Sequence, residues 1–220
     1  DQHREHGNHG GMDHGQMNHD GMNHGSMDHG SMHHDRHQGH SSAAAPSREV
    51  DQHLPTEQGP GVDMVAEQPV AMLDDPGVGL RNNGRRVLVY KDLEYLHGLP
   101  DSNQADREII LHLTGNMSRY MWSFDGIPFA DAEPLILHYG ERVRIWLVND
   151  TMMHHPIHLH GLWSDLETGD GRLARKHTVV VKPGEKLSYL VRADTRGRWA
   201  YHCHLLYHME AGMFREVRVV

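Results

Sequence analysis

The sequence predicts an all-β domain, a sandwich or barrel of short strands, over residues 106–220. Branched aliphatic residues are almost absent from residues 1–45 but become frequent, together with Tyr, from about residue 106 onward. In that region short apolar segments alternate with turn signals such as Gly140-Glu141 and Pro183-Gly184. Short strands separated by regular turns are typical of sandwiches and barrels.

Each apolar segment of this region is assigned to a strand. The predicted strands are residues 109–113, 135–139, 142–148, 177–181, 186–193, 199–204 and 214–220. The fourth and fifth are expected to form a hairpin around Pro183-Gly184, because Pro and Gly favour tight turns. One folded domain at the end of the chain follows from this pattern.

Two other regions precede this domain. Residues 46–105 contain recurring Pro and Gly, as in Gly59-Pro60-Gly61, and are predicted to be a partly ordered linker, whose short apolar run at 87–90 packs on the domain. Residues 1–45 are predicted to be disordered without a ligand, since they have no apolar face with which to form a core.

The first region contains a five-residue repeat of the form M-x-H-x-x. Its period matches neither a helix nor a strand. Each unit pairs a thioether with an imidazole, and these donors suit copper, Cu(I) especially. We therefore expect scavenging of copper or silver here, with a low-complexity repeat of no metal-binding role as the alternative. The predicted donors are Met12, His14, Met17, His19, Met22, His24, Met27, His29, Met32 and His34.

Composition excludes several classes of function. The net charge is −9, with 30 acidic and 21 basic residues, which argues against nucleic acid as the main partner. No apolar run approaches the roughly 18 residues of a membrane span. Cys203 is the single cysteine, so an internal disulfide is impossible and its thiol must serve packing, nucleophilic chemistry or metal binding.

Two histidine motifs are predicted to converge by the alternation of side chains along strands. In His202-Cys203-His204, the cysteine faces one side of the strand and both histidines face the other. The segment 155–161 reads HPIHLHG, and in an extended chain its first histidine faces opposite to the other two. The tripeptide is therefore expected to serve two metal sites at once.

The first of these sites has the ligand set of a blue-copper electron-transfer centre. His155 and Cys203 face the same side, and the chain after the cysteine is long enough to bring back His208 and Met213. Two imidazoles, a thiolate and a more distant thioether are the ligands of such centres.

The second site combines four imidazoles and suits more than one copper ion. Its members are His158, His160, His202 and His204. A structural zinc site is the main alternative, but it closes with four ligands and leaves the other donors unexplained. The covalent link through Cys203 offers a short path for electrons between the two sites.

The motifs HPIHLHG and HCHLLYHMEAGM resemble those of the last domain of multicopper oxidases, over roughly residues 106–220. The resemblance implies a Greek-key cupredoxin sandwich and type 1, type 2 and type 3 copper centres. It implies Cys203, His202 and His204 as the catalytic electron path. The implied type 1 ligands are His155, Cys203, His208 and Met213, the type 2 ligand is His158, and the type 3 ligands are His160, His202 and His204.

With the Met/His repeat, the chain resembles the copper-resistance protein A branch of that family, periplasmic oxidases of Gram-negative bacteria. This resemblance implies oxidation of Cu(I), with phenols as a second substrate class in the wider family, and reduction of O₂ to water. Substrate copper is expected at Met153 and Asp150, with Met209 a weaker candidate and simple packing around the first site the alternative.

The family uses eight histidines in four HxH pairs, and this chain has two of the pairs. The others are expected in an N-terminal cupredoxin domain, so the chain, which begins at Asp1, is predicted to be a fragment of a longer oxidase. The alternative function is a copper-binding, electron-transfer or copper-sequestering module without oxidase activity. Tyr207 occupies a position where some relatives carry an acidic residue linked to proton delivery.

Overall fold

The computed structural model of the protein describes residues 48–98 and 104–220, and the Met/His repeat lies outside these residues. Within these ranges the chain forms eleven strands, one α-helix and three short 3₁₀ helices. The strands are β1 (Arg107–Asn116), β2 (Met121–Phe124), β3 (Leu135–Leu137), β4 (Arg142–Asn149), β5 (His155–Leu159), β6 (Ser164–Gly169), β7 (Arg172–Lys176), β8 (Thr178–Val181), β9 (Lys186–Arg192), β10 (Gly197–Cys203) and β11 (Phe214–Val219). Helix α1 spans Leu206–Glu210, and the 3₁₀ helices span Pro55–Gln58, Tyr90–Asp92 and Phe129–Asp131.

The strands form two sheets, which confirms the predicted all-β, cupredoxin-like sandwich. One sheet has the order β2-β1-β4-β9-β6-β7, and the other has the order β3-β11-β10-β5-β8. Most neighbouring strands are antiparallel, but β1 with β4 and β3 with β11 are parallel pairs. In the second sheet β5 and β10, which carry the histidine motifs, lie side by side as antiparallel neighbours.

The predicted hairpin around Pro183-Gly184 is wrong, although both of its strands exist. β8 pairs with β5 in one sheet, while β9 pairs with β4 and β6 in the other. The turn bonds to the end of β4, since Gly184 N–H donates to the Asn149 carbonyl at 2.9 Å. A Pro-Gly pair indicates a turn but does not determine whether the flanking strands pair, because that depends on which sheet each strand joins.

Only part of the apolar run at 87–90 in the predicted linker packs on the sandwich. Tyr90 packs against the core, and its hydroxyl oxygen accepts a hydrogen bond from Val180 N–H at 2.9 Å. Leu88, two residues earlier, remains 70% exposed. Earlier in the same segment, Val70 forms an isolated parallel bridge with Glu185. The segment therefore contacts the sandwich through separate anchors rather than through a strand of its own.

The core between the sheets extends to the end that carries the cysteine. Phe124 and Tyr201 stack with ring centroids 5.3 Å apart, and Trp122 is buried nearby in the same cluster. Cys203 and Met213 also belong to this cluster. The apolar core thus surrounds the only thiol of the chain.

Three strands had no clear signal in the sequence. β6 and β7 carry charged side chains that form ion pairs rather than an alternating apolar pattern, as Asp165 does with Arg175 at 2.8 Å. β2 is only four residues long. Among the described residues no helix has the length and apolar character needed to cross a membrane.

Candidate copper centres

The two histidine motifs meet where β5 and β10 pair antiparallel. In this register His202 lies opposite His158, and Cys203 lies opposite Ile157. The side chains of His155, Ile157 and Leu159 are buried, whereas those between them are partly exposed. The alternation of β5 and β10 therefore separates an inner site, inside the sandwich, from an outer site on the other side of the sheet.

The inner site brings His155, Cys203 and His208 together. The Cys203 sulfur lies 3.6 Å from His155 Nδ1 and 3.8 Å from His208 Nδ1, and the two ring nitrogens are 3.1 Å apart. All three side chains are buried. Cys203 comes from β10 and His155 from β5, while α1 returns the chain so that His208 faces them.

Burial sets the protonation of this site. It raises the pKa of the Cys203 thiol to about 11. Burial, followed by the neighbouring His208 and His154, lowers the pKa of His155 to about 3, and burial lowers the pKa of His208 as well. Both imidazoles are thus neutral and can bind a metal, whereas the thiol needs a bound cation to become a thiolate near neutral pH.

Two residues that sequence reasoning missed orient the inner histidines. Thr151 Oγ1 lies 2.7 Å from His155 Nε2, which leaves Nδ1 facing the sulfur. Trp122 stacks on His208 with ring centroids 4.0 Å apart and also meets the edge of His155. The sequence spacing does not predict these contacts of Thr151 and Trp122, because the contacting residues come from separate elements of the fold.

Met213 lies at the end of the loop that closes the inner site. Its amide N–H donates to the His208 carbonyl at 3.0 Å, and its own carbonyl accepts from Cys203 N–H at 3.1 Å. Its side chain is fully buried in the core cluster. The loop thus holds Met213 beside both the cysteine and the second histidine of the inner site.

The outer site gathers the four remaining motif histidines. The rings of His158 and His160 have centroids 4.4 Å apart, and His160 Nε2 lies 2.9 Å from His202 Nε2. His204 completes the group, with its ring centroid 5.8 Å from that of His158. Burial and the neighbouring imidazoles lower the pKa of His160, and burial lowers the pKa of His202.

Backbone carbonyls select the tautomer of two outer histidines. His158 Nδ1 lies 2.7 Å from the His177 carbonyl, and His202 Nδ1 lies 2.9 Å from the Cys203 carbonyl. A carbonyl accepts only, so each Nδ1 carries the proton and each Nε2 carries the lone pair that can bind a metal. The same pattern supports metal-binding imidazoles in known sites. His177 was not among the predicted residues, since its role depends on its backbone alone.

The residues proposed for substrate copper occupy different environments. Met153 is 36% exposed and lies near the surface just before β5. Asp150 is buried, and its carboxylate accepts from Ala66 N–H at 2.9 Å and contacts His112 Nδ1 at 2.8 Å. Its carboxylate therefore faces the interior. Tyr207, at the candidate proton-delivery position, is 75% exposed.

A family model described as multicopper oxidase matches residues 103–220, which are more than half of the chain. The chain belongs to the multicopper oxidase family. Members of this family bind copper, and the inner and outer sites of this multicopper oxidase chain fit that metal. Two neutral imidazoles beside a thiol sulfur match a blue-copper donor set, and a cluster of four imidazoles suits copper as well.

Two curated relatives have the same name. Copper resistance protein A of Pseudomonas syringae pv. tomato is 68% identical over 161 residues, which are 73% of this chain and 26% of that protein. Copper resistance protein A of Escherichia coli is 63% identical over 161 residues, 73% of this chain and 27% of that protein. The chain therefore spans about a quarter of the length of these relatives.

Among solved structures, the McoA multicopper oxidase from the hyperthermophile Aquifex aeolicus is similar with a TM-score of 0.47 and 27% sequence identity. The likeness covers 55% of this chain and 31% of that chain.

Proposed function

We propose that this chain is the C-terminal copper-binding domain of a longer, periplasmic multicopper oxidase that acts in copper resistance. The proposed electron donors are Cu(I) and, as a second class, phenols, and the acceptor is O₂, which is reduced to water. Membership of the family and the names of the two similar bacterial relatives support this reading.

The observation that carries the proposal is that neighbouring residues of β10 face different sites. The Cys203 sulfur lies within 4 Å of two buried imidazole nitrogens. The rings of His202 and His204 join the outer histidine cluster. A single-electron entry site and an oxygen-reducing site need this kind of direct connection, and the tripeptide supplies it.

In this proposal the type 1 copper is held by His155, Cys203, His208 and Met213. The proposed type 2 ligand is His158, and the proposed type 3 ligands are His160, His202 and His204. When bound, copper supplies one-electron redox chemistry at the inner site and the reduction of O₂ at the outer site.

The residues of this chain provide the connection and the environment. From the Cys203 side chain, covalent bonds lead along the backbone to the histidine on either side. A hydrogen bond of 2.9 Å from His202 Nδ1 to the Cys203 carbonyl adds a shorter route. Burial of all three inner donors excludes water from the thiolate. Thr151 keeps the His155 ring in the orientation that directs Nδ1 inward.

The outer site is proposed to be completed by the N-terminal cupredoxin domain of the same protein, which would contribute the other two HxH pairs. His160 and His204 are exposed, so another domain can approach them. The length of the relatives leaves room for such a domain, since this chain spans 26–27% of theirs.

Met153 is the proposed contact for Cu(I) arriving at the inner site. Its thioether suits a soft cation, and it lies two residues from His155. Asp150 is the weaker member of the predicted pair, because its buried carboxylate already has two partners. Copper binding by the Met/His repeat remains part of the proposal as a second, scavenging role.

The second candidate function is a copper-binding, electron-transfer or copper-sequestering module without oxidase activity in this chain alone. Two observations favour it: His160 and His204 are exposed, and the four outer histidines are half of the eight that a complete oxygen-reducing cluster uses.

Copper loading with visible and spin-resonance spectroscopy tests the proposal. We expect an intense blue absorption that disappears in Cys203→Ser, while copper at the outer site is retained. A loaded chain without blue absorption contradicts the inner site. Oxygen consumption with Cu(I), measured on the longer protein as well as on this chain, then separates the two candidates. Turnover by the longer protein supports the oxidase, and a blue longer protein without turnover supports the module.

A further inference from the structure

A second cluster of metal-binding side chains lies outside both histidine motifs. It consists of His53, Glu57, His112 and Asp150, whose donor atoms all lie within 4.8 Å of one another. His53 is partly buried and the other three are buried. His53 and Glu57 precede the sandwich in the chain, His112 is in the middle of β1, and Asp150 follows β4.

The four donor atoms form a closed ring of contacts. His53 Nδ1 lies 3.0 Å from Glu57 Oε2 and 3.7 Å from Asp150 Oδ2. His112 Nδ1 lies 3.6 Å from Glu57 Oε2 and 2.8 Å from Asp150 Oδ2. Donors at about 2.0–2.2 Å from a tetrahedral ion are about 3.4 Å apart, which lies within this range of separations.

Each side chain of the cluster also has a hydrogen-bond partner outside the cluster. Ring nitrogens Nε2 of His53 and His112 lie 3.3 and 3.1 Å from the backbone carbonyls of Ala66 and Val50. A carbonyl accepts only, so each Nε2 carries a proton and each Nδ1 is directed at the centre as a potential ligand. Imidazole ligands of metals are typically oriented in this way.

The carboxylates show the same arrangement. Glu57 Oε1 accepts from Arg48 Nη1 at 2.9 Å, and Asp150 Oδ1 accepts from Ala66 N–H at 2.9 Å. The other oxygen of each group, Oε2 or Oδ2, faces the two imidazoles. Two buried carboxylates aimed at one point repel each other unless a cation lies between them.

We propose that these four side chains form a structural site for one four-coordinate divalent transition-metal ion, zinc(II) or copper(II). Two imidazoles with two carboxylates suit these ions, whereas calcium and magnesium prefer oxygen ligands in larger number. The bound ion clamps the segment that carries His53 and Glu57 onto the sandwich. This site shares no residue with the inner and outer copper sites and does not depend on the proposed oxidase activity. It assigns Asp150 to a structural ion rather than to substrate copper.

Metal retention by the full chain tests the site. Metal-free protein is incubated with zinc(II) alone or copper(II) alone and desalted, and the bound metal is counted. We expect Asp150→Asn and His53→Ala each to retain about one ion fewer than the parent with at least one of the two metals. His97→Ala is the matched control, because His97 is exposed and outside this cluster, and it should equal the parent.

The asparagine variant keeps the shape of the side chain and an oxygen for Ala66 N–H, so loss of metal there is not simply unfolding. A loss with zinc only, with copper only or with both identifies the ion. Equal retention by the parent and both variants, for both metals, overturns the proposal and leaves two histidine–carboxylate hydrogen bonds.

Hydrogen exchange provides a second measurement that needs no variant. The bound ion should slow hydrogen exchange of the Ala66 amide and of the amides around residues 50–57 by tenfold or more, because it stabilises the closed form of this segment. A tenfold slowing corresponds to about 1.4 kcal/mol of added local stability. Unchanged exchange of this segment in the presence of both metals contradicts the clamp.

Discussion

Thr151 is the residue on which the orientation of the inner site depends. Its hydroxyl donates to Asn149 Oδ1 at 2.9 Å, and its oxygen faces His155 Nε2 at 2.7 Å. Since the His155 ring is buried, the Nε2–H group has no water to replace this partner. The hydroxyl therefore satisfies a buried donor and fixes the ring at the same time.

Thr151→Val should destabilise the protein by about 1–3 kcal/mol, because it leaves the Nε2–H group buried and unsatisfied. The change should also shift the blue absorption band of the copper-loaded chain. Denaturant unfolding and visible spectroscopy measure the two effects. Thr151→Ser retains the hydroxyl and serves as the control. Equal spectra and stabilities for the Val and Ser variants would show that the hydroxyl does not orient the ring.

The thiol of Cys203 makes the stability of the metal-free chain depend on alkaline pH. Its pKa in the folded state is about 11 against a reference of 9.0, so the folded state holds the proton more tightly. The contribution is complete below pH 9 and is lost as the pH rises towards 11, by up to about 1.4 kcal/mol per unit.

Comparison with Cys203→Ser isolates this effect from other groups that titrate at high pH. The stability difference between the parent and the variant should shrink as the pH rises from 9 to 11. Denaturant unfolding of both proteins across this range measures it. A difference that stays constant with pH would mean that burial does not raise the thiol pKa.

At the scale of elements, the turn after β5 holds the outer histidines against β10. Gly161 has a φ of +69°, and a Cβ there would lie 2.3 Å from the ring of Trp199 in β10. His160, the preceding residue, is held to β10 by its amide, which donates to the Ala200 carbonyl at 2.9 Å. The absence of a side chain at Gly161 therefore permits the close approach of the turn and the strand.

Gly161→Ala should cost more stability than Gly140→Ala. Both positions have a positive φ, which costs about 1–2 kcal/mol for alanine, but nothing lies within 4 Å of the Cβ that would be added at Gly140. The clash with Trp199 should add about 1–3 kcal/mol, as overpacking does elsewhere. Denaturant midpoints measure the difference. Equal losses at the two glycines would show that Trp199 moves away freely.

At the scale of the whole molecule, Arg48 joins the segment before the domain to the sandwich. Its guanidinium donates to Glu57 Oε1 and to Asp125 Oδ1, both at 2.9 Å. The Glu57 side chain is fully buried, so its charge has no access to water. One cation thus holds together a carboxylate of the segment and one of the sandwich.

In the metal-free protein, Arg48→Met should destabilise the fold by about 3–5 kcal/mol, because it leaves the buried Glu57 carboxylate without its arginine partner. Hydrogen exchange should locate the loss in the segment around residues 48–58. Arg86→Met is the control, since the Arg86 ion pair with Asp92 is exposed and its removal should change little. Similar losses in both variants would mean that burial of Glu57 does not govern the effect.

The sequence determined the features that depend on local spacing. Alternation along a strand is a property of the backbone, so the opposite orientation of Cys203 and its neighbouring histidines was predictable without a structure. The two motifs also resembled those of the family, and the apolar segments between turn signals indicated most of the strands. The charged strands β6 and β7 were missed, because their partners, such as Arg175 for Asp165, come from other strands.

Tertiary structure alone decided which elements meet. The turn at Pro183-Gly184 leads from one sheet to the other because β8 and β9 find different partners, which no local signal encodes. The cluster of His53, Glu57, His112 and Asp150 joins residues nearly a hundred positions apart. Spacing along the chain predicts contacts within an element, but contacts between elements depend on how the whole chain packs, since packing brings distant residues into one site.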